Sequence, residues 1–205
     1  MIQTFRWFRM PVMAATLAAA IACTGRVQNP STEPVPAAAA AADSTPARPA
    51  VTPAATPNSP DWLAIDSVNK TVTLTLEVAT QPNALSPLIN GYRNGEARIV
   101  VPVGWTVKWN WRNADTASPH SLVVMVQREK IPLEGSRAAF SNAMTRMVTE
   151  GLPVGQTDQT TFVAEEAGWF WLMCGVPGHA LKGEWLELRV DPEAKLPSVQ
   201  LKSGT

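Results

Sequence analysis

The chain has 205 residues, 45% of them hydrophobic, and its 17 Lys and Arg balance 17 Asp and Glu. That length suits one domain with appendages, and the apolar content is enough for a real core. Without a concentrated basic face, a nucleic-acid-binding role is excluded as the main function.

Residues 1–23 come first. Arg6 and Arg9 precede an apolar run from Pro11 to Ala22. The run is short for a bilayer span and carries the charge pattern of a secretory signal. Its end, Ala20-Ile21-Ala22-Cys23, resembles the bacterial lipobox, in which small residues precede a Cys that is acylated and becomes the mature N-terminus; Ala20 stands where Leu is commoner. The expectation is a lipoprotein-type signal with lipidation at Cys23, leaving 15 basic against 17 acidic groups in the mature chain. An ordinary cleaved signal with an incidental Cys is the alternative. A Cys23–Cys174 disulfide is arithmetically open, although each Cys has a separate explanation.

Residues 24–60 are rich in Pro and Ala, with one run from Ala37 to Ala42 and no aromatic residue. Such a segment buries too little apolar surface to offset its chain entropy, and its prolines stiffen it. It reads as a disordered linker that would hold a folded domain, residues 61–205, away from a membrane.

From Trp62 onward the apolar residues alternate with period two. Thr71–Val78 places Val72, Leu74, Leu76 and Val78 on one face, and Trp105–Asn113 does the same with Val107, Trp109 and Trp111. Ala97–Val101, Thr160–Ala164, Trp169–Cys174 and Glu184–Val190 read as further strands, and the continuous apolar run Ser121–Val126 as a central one. Turn pairs such as Asn90-Gly91, Asn94-Gly95 and Ala167-Gly168 separate them. The pattern predicts an all-β, antiparallel, Greek-key sandwich. Ser136–Thr149 is the exception. Its Phe140, Ala143, Met144, Met147 and Val148 fall at helical spacing and predict a short helical insertion packed on the sandwich; a Met-rich docking face is the alternative.

The chemistry lies in Gly168–Trp185. A strand ends at Cys174, the loop Gly175-Val176-Pro177-Gly178 follows, then His179, then four residues to Glu184. A thiolate and an imidazole at one end of a sandwich suit copper or zinc. The second imidazole must be His120, because the chain has only two His. The order His…Cys-x4-His, within an all-β pattern and after an export signal, points to a metal site rather than to isolated buried side chains.

At these residues the chain resembles the cupredoxins, and most closely the sulfocyanin group. The turn Asn90–Gly95, the stretch Val101–Trp105, Pro119-His120-Ser121 and Cys174–Ala180 resemble that group's motifs in the same order, over roughly residues 70–190. The resemblance implies one copper ion with His120, Cys174 and His179 as equatorial ligands, and Ser121 hydrogen-bonding toward the ligand loop. It also implies an axial Met, where this chain has Glu184 followed by Trp185. Met173 is on a strand next to Cys174 and should face the other way. Glu184 is therefore the expected axial ligand, a hard anionic donor that favours the oxidised ion. A Glu184 turned to solvent is the alternative.

The function expected is an extracytoplasmic electron carrier between redox protein partners. Electrons would pass at His179, ringed by Val176, Pro177, Ala180 and Leu181. A small copper enzyme or nitric oxide-type ligand binder with a labile axial position, metal storage, and a zinc site are the alternatives.

Overall fold

The computed structural model describes residues 59–202 except 83 and 85; Cys23, the signal and most of the linker lie outside them. Two five-stranded sheets form a sandwich. One sheet holds β1 (Leu63–Asp66), β2 (Thr71–Ala79), β3 (Leu88–Ile89), β5 (Thr106–Asn113) and β7 (Thr157–Val163), in the order β1-β2-β5-β7 with β3 on β2. The other holds β4 (Ala97–Pro102), β6 (Val123–Val126), β8 (Gly168–Met173), β9 (Trp185–Asp191) and β10 (Ser198–Leu201), in the order β10-β4-β9-β8-β6. The all-β sandwich expected from the alternation is present, and the faces are those read from it: Val72, Leu74, Leu76 and Val78 are buried, as are Val107, Trp109 and Trp111.

The sheets are mixed rather than antiparallel. β2 runs parallel to β5, and β4 parallel to β9. Between β2 and β5 the chain lays β3 antiparallel against β2 and crosses to the opposite sheet for β4, then returns to run beside β2 in the same direction. Period two reports which face a residue takes and is blind to that itinerary.

The expected helical insertion is not a helix. Among the described residues the only helix is one 3₁₀ turn, Ala180–Lys182. The backbone of 138–145 pairs instead with β6, an outermost strand of its sheet: Ala139 N–H donates to Val124 O, Val124 N–H to Ala143 O, and Thr145 N–H to Leu122 O, at 2.8–2.9 Å. An edge strand offers unpaired N–H and C=O groups, and here they take up the groups a helix would have paired within itself. Asn142 and Met147 have positive φ of 64° and 53°, which no α-helix admits. Of the supposed apolar stripe, Phe140 and Ala143 enter the core while Met144 and Met147 are exposed. Phe140 lies between Phe162 and Phe170, with ring centroids 5.6 and 4.8 Å away.

Candidate metal centre

The strand alternation that builds the core also builds the site. Leu172 and Leu186 are opposite each other on β8 and β9 and lie in the main core. Two residues further toward the same pole, Cys174 and Glu184 take the same inward face, and Cys174 N–H donates to Glu184 O at 3.0 Å. On the neighbouring strand Val124 and Leu122 are core residues, and His120 is the next position of that parity. The intervening Met173, Val123 and Trp185 form a second apolar cluster on the outer face, so Met173 points away from the site.

His179 reaches the same pole through the Cys174–Glu184 loop. Its Nδ1 is 3.6 Å from Cys174 Sγ and 3.2 Å from His120 Nδ1, while His120 Nδ1 is 3.9 Å from Sγ. Glu184 closes the group, its Oε1 2.8 Å from His120 Nδ1 and its Oε2 3.3 Å from His179 Nδ1. The four ligand atoms lie within 4.8 Å of one another. His120 and Cys174 are fully buried, Glu184 is 2% exposed, and only the His179 side chain reaches solvent, at 17%.

Ser121 ties the ligand loop to the segment before β6. Its Oγ accepts from Gly175 N–H at 2.9 Å and donates to Val148 O at 2.6 Å, and its backbone N–H points at Cys174 Sγ at 3.4 Å. The Asn90–Gly95 turn supports the loop's far end. Arg93 Nη2 donates to Lys182 O at 2.9 Å and Asn94 N–H to Gly183 O at 2.8 Å.

The Sulfocyanin (SoxE) domain model matches residues 58–199, more than half of the chain. The chain belongs to the sulfocyanin family. A sulfocyanin of Sulfolobus acidocaldarius is 31% identical over 129 residues, which are 60% of this chain and 64% of that protein. This chain thus matches somewhat less than two thirds of that relative's length. Among solved structures, reduced rusticyanin is 19% identical with a TM-score of 0.42, over 60% of this chain and 85% of the other. Reduced auracyanin of Roseiflexus castenholzii is 20% identical with a TM-score of 0.38, over 58% and 97%.

The sulfocyanin family is one of copper-binding cupredoxins, and the cofactor is one copper ion. The donor set here fits it. A triangle with sides of 3.2, 3.6 and 3.9 Å has its centre about 2.1 Å from each corner, matching a metal–nitrogen bond and about 0.2 Å short of the roughly 2.3 Å of a metal–sulfur bond. Two imidazoles and a thiolate with a weaker fourth donor are the donors of electron-transfer copper sites. Glu184 stands at the position where the resemblance implied a Met.

Without metal the cluster holds protons. Burial pushes the Cys174 thiol well up, and the Glu184 carboxylate pushes it further. Burial alone would lower His120, but the carboxylates of Glu184 and Asp115 outweigh it and raise the imidazole above its ordinary 6.5. For Glu184 burial works upward, yet the two imidazoles win and hold the carboxyl below 4.5, so it stays ionised near neutrality. Copper uptake therefore releases the thiol proton at any moderate pH, and a second proton once His120 is charged. As the pH is lowered, the apparent affinity is expected to fall about tenfold per unit while His120 is neutral and about a hundredfold per unit or more once it is charged. The change of slope should come above pH 6.5, because His120 is raised. Competition titrations with a chelator across pH check this, and a pH-independent affinity would refute it.

Gly183 precedes Glu184 with φ of 99°, and a Cβ there would lie 2.6 Å from Asn94 Oδ1. Gly183→Ala is expected to cost on the order of 1–3 kcal/mol, since both the left-handed backbone and the contact are penalised. The denaturant midpoint should drop and the copper spectrum shift together as Glu184 moves. A lower midpoint with an unchanged spectrum would show that the turn does not aim Glu184.

Asp115 had no place in the sequence reading. It is 2% exposed, and its Oδ2 is 3.2 Å from His120 Nε2. The available signal was a charged residue just past an inward-facing Asn113 at the end of β5, five residues before His120.

Proposed function

We propose that the protein is a single-electron carrier in which His120, Cys174, His179 and Glu184 would together hold one copper ion. Copper, when bound, supplies the Cu(II)/Cu(I) couple. The observation that carries this reading is the sealed cluster: the donors converge within 4.8 Å, and three of the four are shut off from solvent. A substrate has no direct approach, whereas an electron can cross at the edge of His179.

The chain's own residues keep the donors still. Ser121 holds both Gly175 and the Val148 carbonyl, and the ladder β6-β8-β9 holds the backbones of the ligand-bearing segments. Donors that do not move cost little reorganisation when charge changes. Around His179 the surface is apolar, with Leu133 60% and Leu181 56% exposed and Gly178 N–H bonded to Leu133 O. Such a patch suits brief docking of redox partners. The signal and Cys23 support work outside the cytoplasm with a lipid anchor, residues 24–60 serving as tether; radiolabelled palmitate incorporated into the unaltered chain and lost in Cys23→Ser tests the anchor.

The function is tested by loading the purified protein with Cu(II), then reducing with ascorbate and reoxidising while optical and paramagnetic-resonance spectra are recorded. A thiolate-to-copper band that disappears and returns supports the reading. Failure to take up copper, or copper that cannot be cycled, overturns it.

A further inference from the structure

The second nitrogen of His120 has its own partner. Nδ1 faces Cys174, His179 and Glu184, and Nε2 faces Asp115 Oδ2 at 3.2 Å in a fully buried pair. The Asp115 carboxylate is itself held from several sides. Thr80 Oγ1, just past the end of β2, donates to Oδ1 at 2.6 Å, and Ser118 N–H donates to Oδ2 at 3.0 Å. Asp115 N–H donates to Asn113 Oδ1 at 3.0 Å. Asn113 spends its Nδ2 on the carbonyls of Ser118 and Leu152, both at 2.9 Å. Leu152 in turn exchanges two backbone hydrogen bonds with His120, at 2.7 and 3.1 Å. One connected network thus fixes both the backbone and the ring of His120. His179 has no counterpart among the described residues: its recorded polar side-chain contacts all run through Nδ1.

We propose that Asp115 is the positioning residue of the copper site: its carboxylate accepts the Nε2–H of His120, so that Nδ1 carries the lone pair toward the metal and a full negative charge stands behind the ring. The inference rests on His120 being a copper ligand. Two consequences follow from chemistry alone. A neutral imidazole has one N–H, and whichever nitrogen donates leaves the other free to bind metal. A carboxylate behind a ligating imidazole makes it a stronger donor, and the more highly charged ion gains most; partners of this kind are typically worth 10–100-fold in metal affinity. The chain therefore places anionic groups on two sides of its metal position, Glu184 in front and Asp115 behind His120.

The test begins with the unaltered protein reduced with copper bound, which is diamagnetic. Proton and nitrogen-15 resonance should show a slowly exchanging Nε2–H on His120, and a His120 ring with no proton on Nε2 would overturn the proposal even if every variant misfolds. Asp115→Asn keeps an acceptor oxygen but removes the charge. It is expected to weaken Cu(II) binding about tenfold more than Cu(I) binding, raising the potential by about 59 mV. Asp115→Ala should also make the His120 Nε2–H exchange rapidly. If the variants leave the Cu(II)/Cu(I) affinity ratio and the Nε2–H signal as in the unaltered protein, Asp115 serves only the fold. A His120→Ala protein that keeps copper with its spectrum intact would instead refute the ligand set itself.

Discussion

Cys174→Ser is expected to yield a folded protein that has lost its intense visible absorption and at least about 100-fold in copper affinity, a loss beyond the 10–100-fold typical of removing a ligand's hydrogen-bond partner. The reasoning starts from the atom exchanged. Sγ is the only sulfur in the cluster, and it lies 3.6 and 3.9 Å from the two Nδ1 atoms. A hydroxyl at that position is shorter, harder and far less readily ionised than a thiol, so it supplies neither the soft donor that suits Cu(I) nor the thiolate-to-metal transition. The fold should survive. Serine is close in size, and the Cys174 backbone N–H keeps its bond to Glu184 O. The buried hydroxyl also has a donor within reach in Ser121 N–H, now 3.4 Å from Sγ. Absorption spectra, chelator competition and circular dichroism measured together decide the matter. Retention of the visible band would remove Cys174 from the copper and with it the proposed mechanism.

How much of this was legible depends on which physical rule governed each part. The inward set His120, Cys174 and Glu184 shares the parity of Val124, Leu172 and Leu186, so the alternation that marks a strand also marks these three proposed ligands. His179 was legible only through its spacing from Cys174, since it sits on a loop where no periodicity applies. The parallel pairings β2–β5 and β4–β9 were not legible, because side-chain alternation is the same for either strand direction. Ser136–Thr149 misled for a related reason. Apolar residues at spacings of three and four suit a helix, but they suit equally a chain that dips twice into a core, with Phe140 and Ala143, while its backbone pairs with β6. Short β1, β3 and β10 carry too few residues for a pattern. Asp115 was hidden by its ordinariness: an Asp in a polar turn after Asn113 looks like turn chemistry, and only the fold shows that it meets the back of His120.

Glu184→Met is the complementary experiment, because it installs the thioether that the family resemblance led one to expect at this position. The carboxylate is 2% exposed and lies 2.8 and 3.3 Å from the Nδ1 atoms of His120 and His179, inside the cluster rather than beside it. An ionised group in so enclosed a place favours the ion of higher charge, and a carboxylate oxygen is a harder donor than a thioether, so both effects stabilise Cu(II) over Cu(I). Replacement by Met should therefore raise the reduction potential. A hundredfold change in the preference for Cu(II) over Cu(I) corresponds to about 120 mV at 59 mV per tenfold, and a rise of that order is expected. The visible spectrum should shift with it. Glu184→Gln separates charge from shape: the potential should again rise, with less disturbance of packing. Acid provides the third reading. A metal cation beside an ionised carboxylate opposes its protonation, so the oxidised protein should keep one spectrum through neutral pH and change only on acidification, as protonation withdraws the charged oxygen. Glu184→Gln should show no such acid-side change. If the potential and spectrum of Glu184→Met match those of the unaltered protein, Glu184 is a hydrogen-bond partner of the histidines and the metal is held by three residues alone.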